Sequence, residues 1–345
     1  ATAAVTASAT ARAAVKAMGS LRIRMDPAGF CSQARVLIVA GKGGVGKTTV
    51  SAALARMAAL AGLRVLVVDV EGAGGVARAF GHDEPLTYDE VVLAPGGEPE
   101  GAGEVRARAL TPDDALLEYL ESHGLRRISR RLVSTGAIDV VATAAPGIKD
   151  ILVLGKVKQL ERAGAADLVV VDAPAAGHTV TFLTSARGLL DAVRVGPIRA
   201  QAEDVADLLG DPSRCQVLLV TLPEETPVNE VVETAYRLED RAGVNLAPVV
   251  VNGVYPPLPG LDAEPDEAAA AAGVHLRPGE ADVLRSAATF RRRRTALQAE
   301  QVERLSAGLP LPQLRLPFLF TTEVGRPEVD TLAGALAAAV GALPG

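Results

Sequence analysis

Short apolar runs, mainly of β-branched residues, alternate along this chain with longer segments rich in Ala and Leu. Within each run the apolar residues are continuous, which is typical of strands buried on both faces of a parallel sheet. The segments between the runs have helical length. We therefore predict an α/β fold with a doubly wound, mostly parallel sheet. The runs cover 35–40, 64–70, 138–142, 167–172, 216–221, 248–252 and 313–319.

Two stretches interrupt this alternation within what we interpret as a single domain at 34–345. After a loop rich in Pro, Gly and Glu, Thr111-Pro-Asp-Asp supplies an N-cap, an N1 proline and first-turn acids for a helix predicted over 111–132. We interpret 85–163 as a mostly helical insertion. The Pro-, Gly- and acid-rich segment 255–273 is predicted to be a mobile surface loop.

Residues 1–33 have a different composition from the rest of the chain. They are rich in Ala, Ser and Thr, include several basic residues, and contain no acidic residue before Asp26. Such a composition resembles an organelle transit segment. A disordered extension, or a reading frame that starts upstream of Met25, accounts for it equally simply and is the interpretation we favour.

Composition narrows the class of protein. With 345 residues, 49% hydrophobic and 22% charged, the chain is globular, and no apolar stretch is long enough to span a membrane. A net charge of -6 argues against binding nucleic acid with the whole surface, and we expect no nucleic-acid partner. Cys31 and Cys215 are far apart in sequence and form no CxxC, so we expect neither a disulfide framework nor a structural zinc site. A reducing cytoplasm is the expected location.

The strongest motif lies between the first predicted strand and a helix that begins near Thr48. Its glycines let successive backbone N–H groups converge on phosphate oxygens, and the helix N-terminus adds positive partial charge. Lys47 is placed to reach the β- and γ-phosphates of a nucleotide, and the Thr48 hydroxyl to ligate Mg²⁺. The sequence therefore predicts a P-loop. The motif consists of Gly41, Lys42, Gly43, Gly44, Val45, Gly46, Lys47, Thr48 and Thr49.

Lys42 makes this P-loop a variant. A second ammonium beside Lys47 is repulsive in an empty site and becomes favourable once a polyphosphate is bound. We therefore expect Lys42 to contact phosphate only in an assembled state. The alternative is a solvated loop lysine.

Two further predicted strands end in carboxylates. Asp69 and Glu71 have the spacing that points both side chains to one side of the sheet edge, where they can hold Mg²⁺ through water or orient an attacking water. Capping of the next helix, from Gly72 onward, is the alternative. The run ending in Asp172 has the Walker B arrangement, with Asp172 as a ligand of Mg²⁺-bound water.

The loop after Asp172 is a candidate sensor of the γ-phosphate. Gly177 can offer a peptide N–H to that phosphate. The candidate loop residues are Pro174, Gly177, His178 and Thr179.

Taken together, these motifs resemble the ArsA family of anion-pump and tail-anchored-protein-targeting ATPases. The similarity extends from about residue 35 to the C-terminal helix. It is carried by GKGGVGKTT at 41–49, the acid-ended second strand, DAPAAGHTVTFL at 172–183, VTLPEETPVNE at 220–230 and VVVNGVYPP at 249–257.

The resemblance implies an ATPase that uses ATP and Mg²⁺ and closes over ATP as a homodimer or with a paralogous subunit. In that state Lys42 contacts phosphate across the interface, while 69–75 and 172–179 act as switch I and switch II. Relatives have an aspartate at the position of Glu71, where it activates water. Because Glu is longer by a methylene, we expect slow turnover. Either Glu71 orients the water directly, which we favour, or Asp69 has taken that role and Glu71 only caps the switch.

The resemblance also assigns adenine recognition to Asn252 and Pro317. The amide of an asparagine can pair with adenine N6 and N7 together. Asn252 as a turn former before Gly253 is the alternative.

Several family features are missing from this sequence. The cysteine cluster of arsenite-stimulated relatives, the zinc-binding CxxC of the eukaryotic targeting factors and their Met-rich groove are all absent. The client is therefore unknown. Segments 151–155 and 183–193 line either an apolar client surface or the core, and we favour the core. The run 291–294, read as the start of a helix, is either a solvated helix face or a partner-binding patch.

Two alternative functions come from other classes of protein. A partitioning-type scaffold would bind membrane or DNA in its ATP state, but 329–343 has no Lys or Arg for a basic amphipathic helix. An iron-sulfur electron donor would need two suitably placed cysteines in each subunit.

Overall fold

The computed structural model describes residues 25–343 except 71, 73, 123, 125–146 and 175. The predicted strand at 138–142 lies outside the described residues. The strands are β1 Val36–Gly41, β2 Val65–Asp69, β3 Val91–Ala94, β4 Val105–Ala109, β5 Leu168–Asp172, β6 Cys215–Thr221, β7 Val249–Val254 and β8 Gln313–Pro317. The helices are α1 Pro27–Cys31, α2 Lys47–Leu60, α3 Gly75–Ala79, α4 Pro112–Ser122, α5 Ile148–Arg162, α6 Ala176–Ala192, α7 Pro197–Gly210, α8 Glu225–Arg237, α9 Pro265–Ala271, α10 Glu280–Gly308 and α11 Arg326–Gly341.

The strands form one sheet in the order β3-β4-β2-β5-β1-β6-β7-β8. The neighbours from β4 to β8 pair in parallel, and β3 pairs antiparallel with β4 at one edge. The predicted α/β fold with a mostly parallel sheet is therefore confirmed. Because β1 lies inside the sheet with later strands on both sides, its carboxyl end opens where α/β proteins bind ligands.

Helices cover both faces of the sheet, and β1 shows how the chain divides its core between them. Val36, Ile38 and Ala40 pack into one hydrophobic cluster, with α5, α6, α7, α8 and α10. Leu37 and Val39 pack into the other, with α1, α2 and α11. Since the residues of β1 on both sides of the sheet are apolar, its sequence is a continuous hydrophobic run.

The region 85–163 contains strands as well as helices. The predicted cap of α4 is confirmed, since Thr111 Oγ1 accepts a hydrogen bond from the Asp114 N–H at 3.2 Å. β3 and β4 were not predicted, because β4 carries two arginines that break its apolar pattern. Arg106 pairs with Glu90, and the Arg108 guanidinium lies 4.2 Å from the centre of the Tyr88 ring. These contacts stabilise charged residues near a sheet edge.

Part of the predicted N-terminal extension belongs to the folded domain. Asp26 caps α1 by accepting a hydrogen bond from the Gly29 N–H at 2.6 Å. Phe30 and Cys31 are buried against α2 and α11. The prediction of disorder was therefore wrong for 25–33, while residues 1–24 lie outside the described residues.

Three other expectations concern particular segments. The apolar residues of 151–155 are buried, as are Leu183, Ala186 and Leu189, while Leu190 and Val193 are partly buried against the same core. The core interpretation is therefore confirmed. The helix that carries 291–294 begins at Glu280, so those arginines lie in its interior. The predicted loop 255–273 contains α9, none of whose residues is buried. No helix among the described residues is long and apolar enough to cross a membrane.

Candidate functional site

The P-loop connects the end of β1 to the start of α2. Gly46 is the N-cap of α2, has a φ of +88° and offers no side-chain hydrogen bond to the helix. The first N–H groups of α2 are thus not capped by a side chain and can bind an anion, assisted by the helix dipole. The helix begins at Lys47, one residue before the predicted position.

Two glycines of this loop are required because neighbouring atoms approach them closely. A Cβ at Gly41 would lie 2.4 Å from the Val220 carbonyl oxygen, and one at Gly46 would lie 2.4 Å from Asn252 Nδ2. Both glycines therefore permit close packing. At Gly43 and Gly44 a Cβ would meet nothing within 4 Å. The loop is consequently open at these two positions.

Asp172 is held by the helix that follows the P-loop. It is buried at the end of β5, where Thr48 Oγ1 donates to its Oδ2 at 2.7 Å and Ser51 Oγ donates to its Oδ1 at 3.0 Å. When Thr48 donates its proton to Asp172, its oxygen lone pairs are free for a cation. The set of hydroxyl and carboxylate oxygens suits Mg²⁺. Ser51 was missed by the sequence analysis, although its position three residues after Thr48 on a helix predicts a shared face.

Burial dominates the electrostatics of Asp172. Desolvation raises the pKa of its carboxyl to about 6, and the negative charge of Asp69 acts in the same direction. The hydrogen bonds from Thr48 and Ser51 and the charge of Lys47 lower that pKa, but by less than burial raises it. A divalent cation beside this carboxylate would favour its charged form.

Asp69 lies next to Asp172 in the register of the neighbouring strands β2 and β5. It is buried, and its Oδ1 accepts a hydrogen bond from the Gly72 N–H at 2.8 Å. The chain then returns to the P-loop helix, since a Cβ at Gly75 would lie 2.8 Å from Thr48 Cγ2. The proposed switch I therefore contacts the candidate Mg²⁺ ligand. Glu71 lies outside the described residues, so its role stays a prediction.

Lys42 has a counter-ion that the sequence analysis did not foresee. Its Nζ lies 2.6 Å from Glu230 Oε1, with side-chain exposures of 51% and 30%. Lys47 Nζ lies 3.5 Å from the Lys42 carbonyl oxygen. The expectation of two lysines left uncompensated without phosphate was therefore wrong, because Glu230 neutralises Lys42. VTLPEETPVNE contains Glu230, yet only the fold brings it to the P-loop.

Asn252 and Pro317 lie on adjacent strands near the same edge of the sheet. Pro317 pairs in register with Val254 of β7. Asn252 Nδ2 donates to the Val45 carbonyl oxygen at 2.9 Å. The amide of Asn252 thus braces the P-loop here, and adenine recognition by Asn252 and Pro317 stays a prediction.

The predicted switch II becomes helical earlier than a loop at 172–179 implies. Helix α6 begins at Ala176 and includes Gly177 and His178 in its first turn. Thr179 is buried and its hydroxyl donates to the Pro174 carbonyl oxygen. The peptide N–H groups at the start of a helix lack intrahelical partners, so the predicted role of Gly177 remains compatible with this geometry.

The two cysteines give no indication of a thiolate metal ligand or nucleophile among the described residues. Cys31 and Cys215 are buried free thiols, and burial raises the pKa of each to about 12. Neither is a ready thiolate ligand or nucleophile. Among the described residues, no three His, Cys, Asp or Glu side chains group together as a metal site. A P-loop Mg²⁺ site does not need such a group, since nucleotide phosphates and water complete its ligands.

The fold and this edge of the sheet define a P-loop NTPase. Residues 34–195 match the ArsA family, described as anion-transporting ATPases. The chain is 34% identical over 311 residues to the ATPase BagA of Mycobacterium tuberculosis, a match that covers 83% of this chain and 88% of that protein. The chain therefore belongs to the ArsA ATPase family.

Two other relatives share less of their length with this chain. An arsenical pump-driving ATPase of Acidiphilium multivorum is 29% identical over 265 residues, covering 71% of this chain and 43% of the relative. The ATPase get3 of Schizosaccharomyces japonicus is 31% identical over 147 residues, covering 43% of this chain and 42% of the relative. The resemblance inferred from the motifs is thereby confirmed.

Proposed function

We propose that this chain binds ATP with Mg²⁺, hydrolyses it slowly, and uses the cycle to change between open and closed dimers that act on a client protein. The observation that carries this proposal is the arrangement of Thr48, Asp69 and Asp172. Two carboxylates and one hydroxyl meet at the base of an open phosphate loop. This is the arrangement needed to hold Mg²⁺ beside nucleotide phosphates.

Each group has a task that follows from its position. Lys47 and the N–H groups of α2 bind phosphate oxygens, and Thr48 with Asp172 holds the metal ion. Bound Mg²⁺ neutralises charge on the phosphates during transfer. Glu71 would orient the attacking water, while Asp69, at the end of β2, would support Mg²⁺ through water.

The exposed side chain of Lys42 supports the proposed dimer. Its side chain is half exposed and is held by one salt bridge to Glu230. An exposed ion pair contributes only about 0–1 kcal/mol, so a polyphosphate on a second subunit can displace Glu230. Either a second copy of this chain or a paralogous subunit would meet this requirement. We place the protein in the cytoplasm, which agrees with its two free thiols.

The position of α11 weighs against a membrane-binding scaffold. Val329, Leu332 and Leu336 of this helix are buried against the sheet and α2. Its apolar face is thus used within the fold and is not available for a lipid surface. The buried thiols likewise give no support to an iron-sulfur donor.

Lys47→Ala tests the proposal through nucleotide binding. We expect ATP affinity measured by calorimetry in Mg²⁺ to fall by about 100-fold, since a charged hydrogen bond to phosphate contributes about 1.5–3 kcal/mol. Lys149→Ala is the matched control, because Lys149 pairs with Asp113 on the insertion. Absence of ATP binding by the wild-type chain, or equal affinity in Lys47→Ala, would contradict the proposal.

A further inference from the structure

A cavity lies beside the segments that follow β7 and β8, the last two strands of the sheet. Its volume is about 700 Å³, within the range of about 300–1,000 Å³ that small-molecule sites occupy. The residues after β7, helix α9 and the N-terminal half of α10 form its walls. Nearly all of the lining is Pro, Ala, Leu or Val, including Leu258, Val274, Leu284 and Ala288. Phe320, which is 70% exposed, lines it as well.

One cation, Arg291, interrupts this apolar lining. Its guanidinium lies 4.1 Å from the centre of the Tyr255 ring and 5.2 Å from that of Phe320. Its Nη2 donates to the Pro256 carbonyl oxygen at 2.7 Å, and its buried Nε has no hydrogen-bond partner. The aromatic rings and the carbonyl fix the orientation of the guanidinium and leave its charge without a carboxylate among the described residues.

The neighbouring arginines differ from Arg291 in this respect. Arg285 pairs with Glu264 and Arg292 with Asp262, two acids that precede α9. Arg294 pairs with Glu224. Arg291 therefore lines this cavity with a guanidinium that has no carboxylate partner among the described residues and can bind an anion.

We propose that this cavity binds an amphipathic carboxylate, a molecule with a medium-length alkyl body and one carboxylate held by Arg291. The apolar walls favour the alkyl body, since each buried methylene contributes about 0.8 kcal/mol. The planar guanidinium matches a carboxylate with two parallel hydrogen bonds. No residue of the P-loop lines the cavity, and neither Asn252 nor Pro317 does, so its lining is distinct from the residues predicted to bind the nucleotide.

Dodecanoate is the probe, used without nucleotide and below the concentration at which it forms micelles. Calorimetry on the full chain is expected to give one site per chain. Arg291→Gln should weaken binding about 10- to 100-fold, because one charge-assisted interaction is lost. Ala288→Phe should abolish binding by filling the cavity. Arg293→Gln, an exposed arginine of the same helix outside the cavity, should stay within about twofold of the wild type.

Dodecan-1-ol separates recognition of the carboxylate from mere hydrophobic binding. We expect it to bind more weakly than dodecanoate and to be unaffected by Arg291→Gln. Equal binding of both probes, or equal affinity in Arg291→Gln, overturns the carboxylate assignment. A wild-type dimer that Ala288→Phe converts to a monomer would show that a second copy covers the cavity, which also overturns the proposal. Circular dichroism of each variant checks folding, and nucleotide binding is measured separately.

Discussion

Two regions at the same sheet edge hold their charged groups in opposite ways. Beneath α2, Asp172 is buried and both of its oxygens are hydrogen-bonded. On the other side of the P-loop, Lys42 is half exposed and has Glu230 as its single ion-pair partner among the described residues. Buried, fully satisfied polar groups are rigid and costly to disturb, whereas an exposed ion pair exchanges partners at little cost. We infer that the fold preorganises the metal side and leaves Lys42 able to move.

Substitutions of the buried Asp172 and of Thr48 should have the largest effect on ATP turnover. Asp172→Asn should weaken the support of the proposed metal site and Thr48→Val should remove its proposed direct ligand, so we expect each to reduce ATP turnover by about 10–100-fold. High Mg²⁺ should partly restore both, as measured by steady-state turnover across a Mg²⁺ titration. Asp211→Asn, which lies just before β6 at the opposite edge, is the control. If neither variant responds to Mg²⁺, the Walker B assignment is wrong.

Asp69, at the end of β2, and Glu71, two positions later in the sequence, are expected to have different roles. We expect Glu71→Gln to keep ATP affinity, to lose most turnover and to trap the closed dimer, because the attacking water is no longer oriented. Asp69→Asn should mainly raise the Mg²⁺ concentration needed for turnover, since Asp69 lies beside Asp172. Turnover and nucleotide affinity are measured separately for each. Near-normal turnover in Glu71→Gln would contradict this assignment.

Removing the exposed salt bridge between Lys42 and Glu230 should have a smaller effect, which we expect on dimerisation. Glu230→Gln removes the partner of Lys42, so we expect ATP-dependent dimerisation at a few-fold lower protein concentration. The melting temperature should change little, because an exposed ion pair contributes about 0–1 kcal/mol. Glu233→Gln on the same helix is the control, since Glu233 pairs with Arg237 at 3.5 Å. Dimerisation unchanged in Glu230→Gln would show that this salt bridge does not restrain Lys42.

Thr48 and Asp172, which the sequence analysis placed at one candidate site, lie together in the structure, and local patterns explain their positions. Strand β5 places Asp172 and α2 places Thr48, and both elements follow local patterns of apolar residues and glycine. The partner of Lys42 was not predicted, since Glu230 is 188 positions away and meets Lys42 only through the pairing of β1 with β6.

Strands β3 and β4 and the cavity were not predicted for the same reason. β4 carries Arg106 and Arg108. Arg106 forms a salt bridge with Glu90, and the Arg108 guanidinium packs on the Tyr88 ring, so the partners of both lie outside the strand. The cavity depends on how α9 lies against α10, and the sequence of 255–273 indicated only a surface loop. Local periodicity does not report such contacts between distant segments.

Lys42 and Lys47 share one loop but are proposed to have different roles, Lys47 in binding ATP and Lys42 in the closed dimer. The most direct test of these two roles measures ATP affinity, turnover and oligomeric state in Lys42→Ala, with Lys47→Ala and Lys149→Ala alongside. We predict that Lys42→Ala binds ATP with nearly wild-type affinity, hydrolyses it poorly and fails to form a tight dimer with a transition-state analogue. Equal loss of ATP binding in Lys42→Ala and Lys47→Ala would contradict a role for Lys42 across the dimer interface.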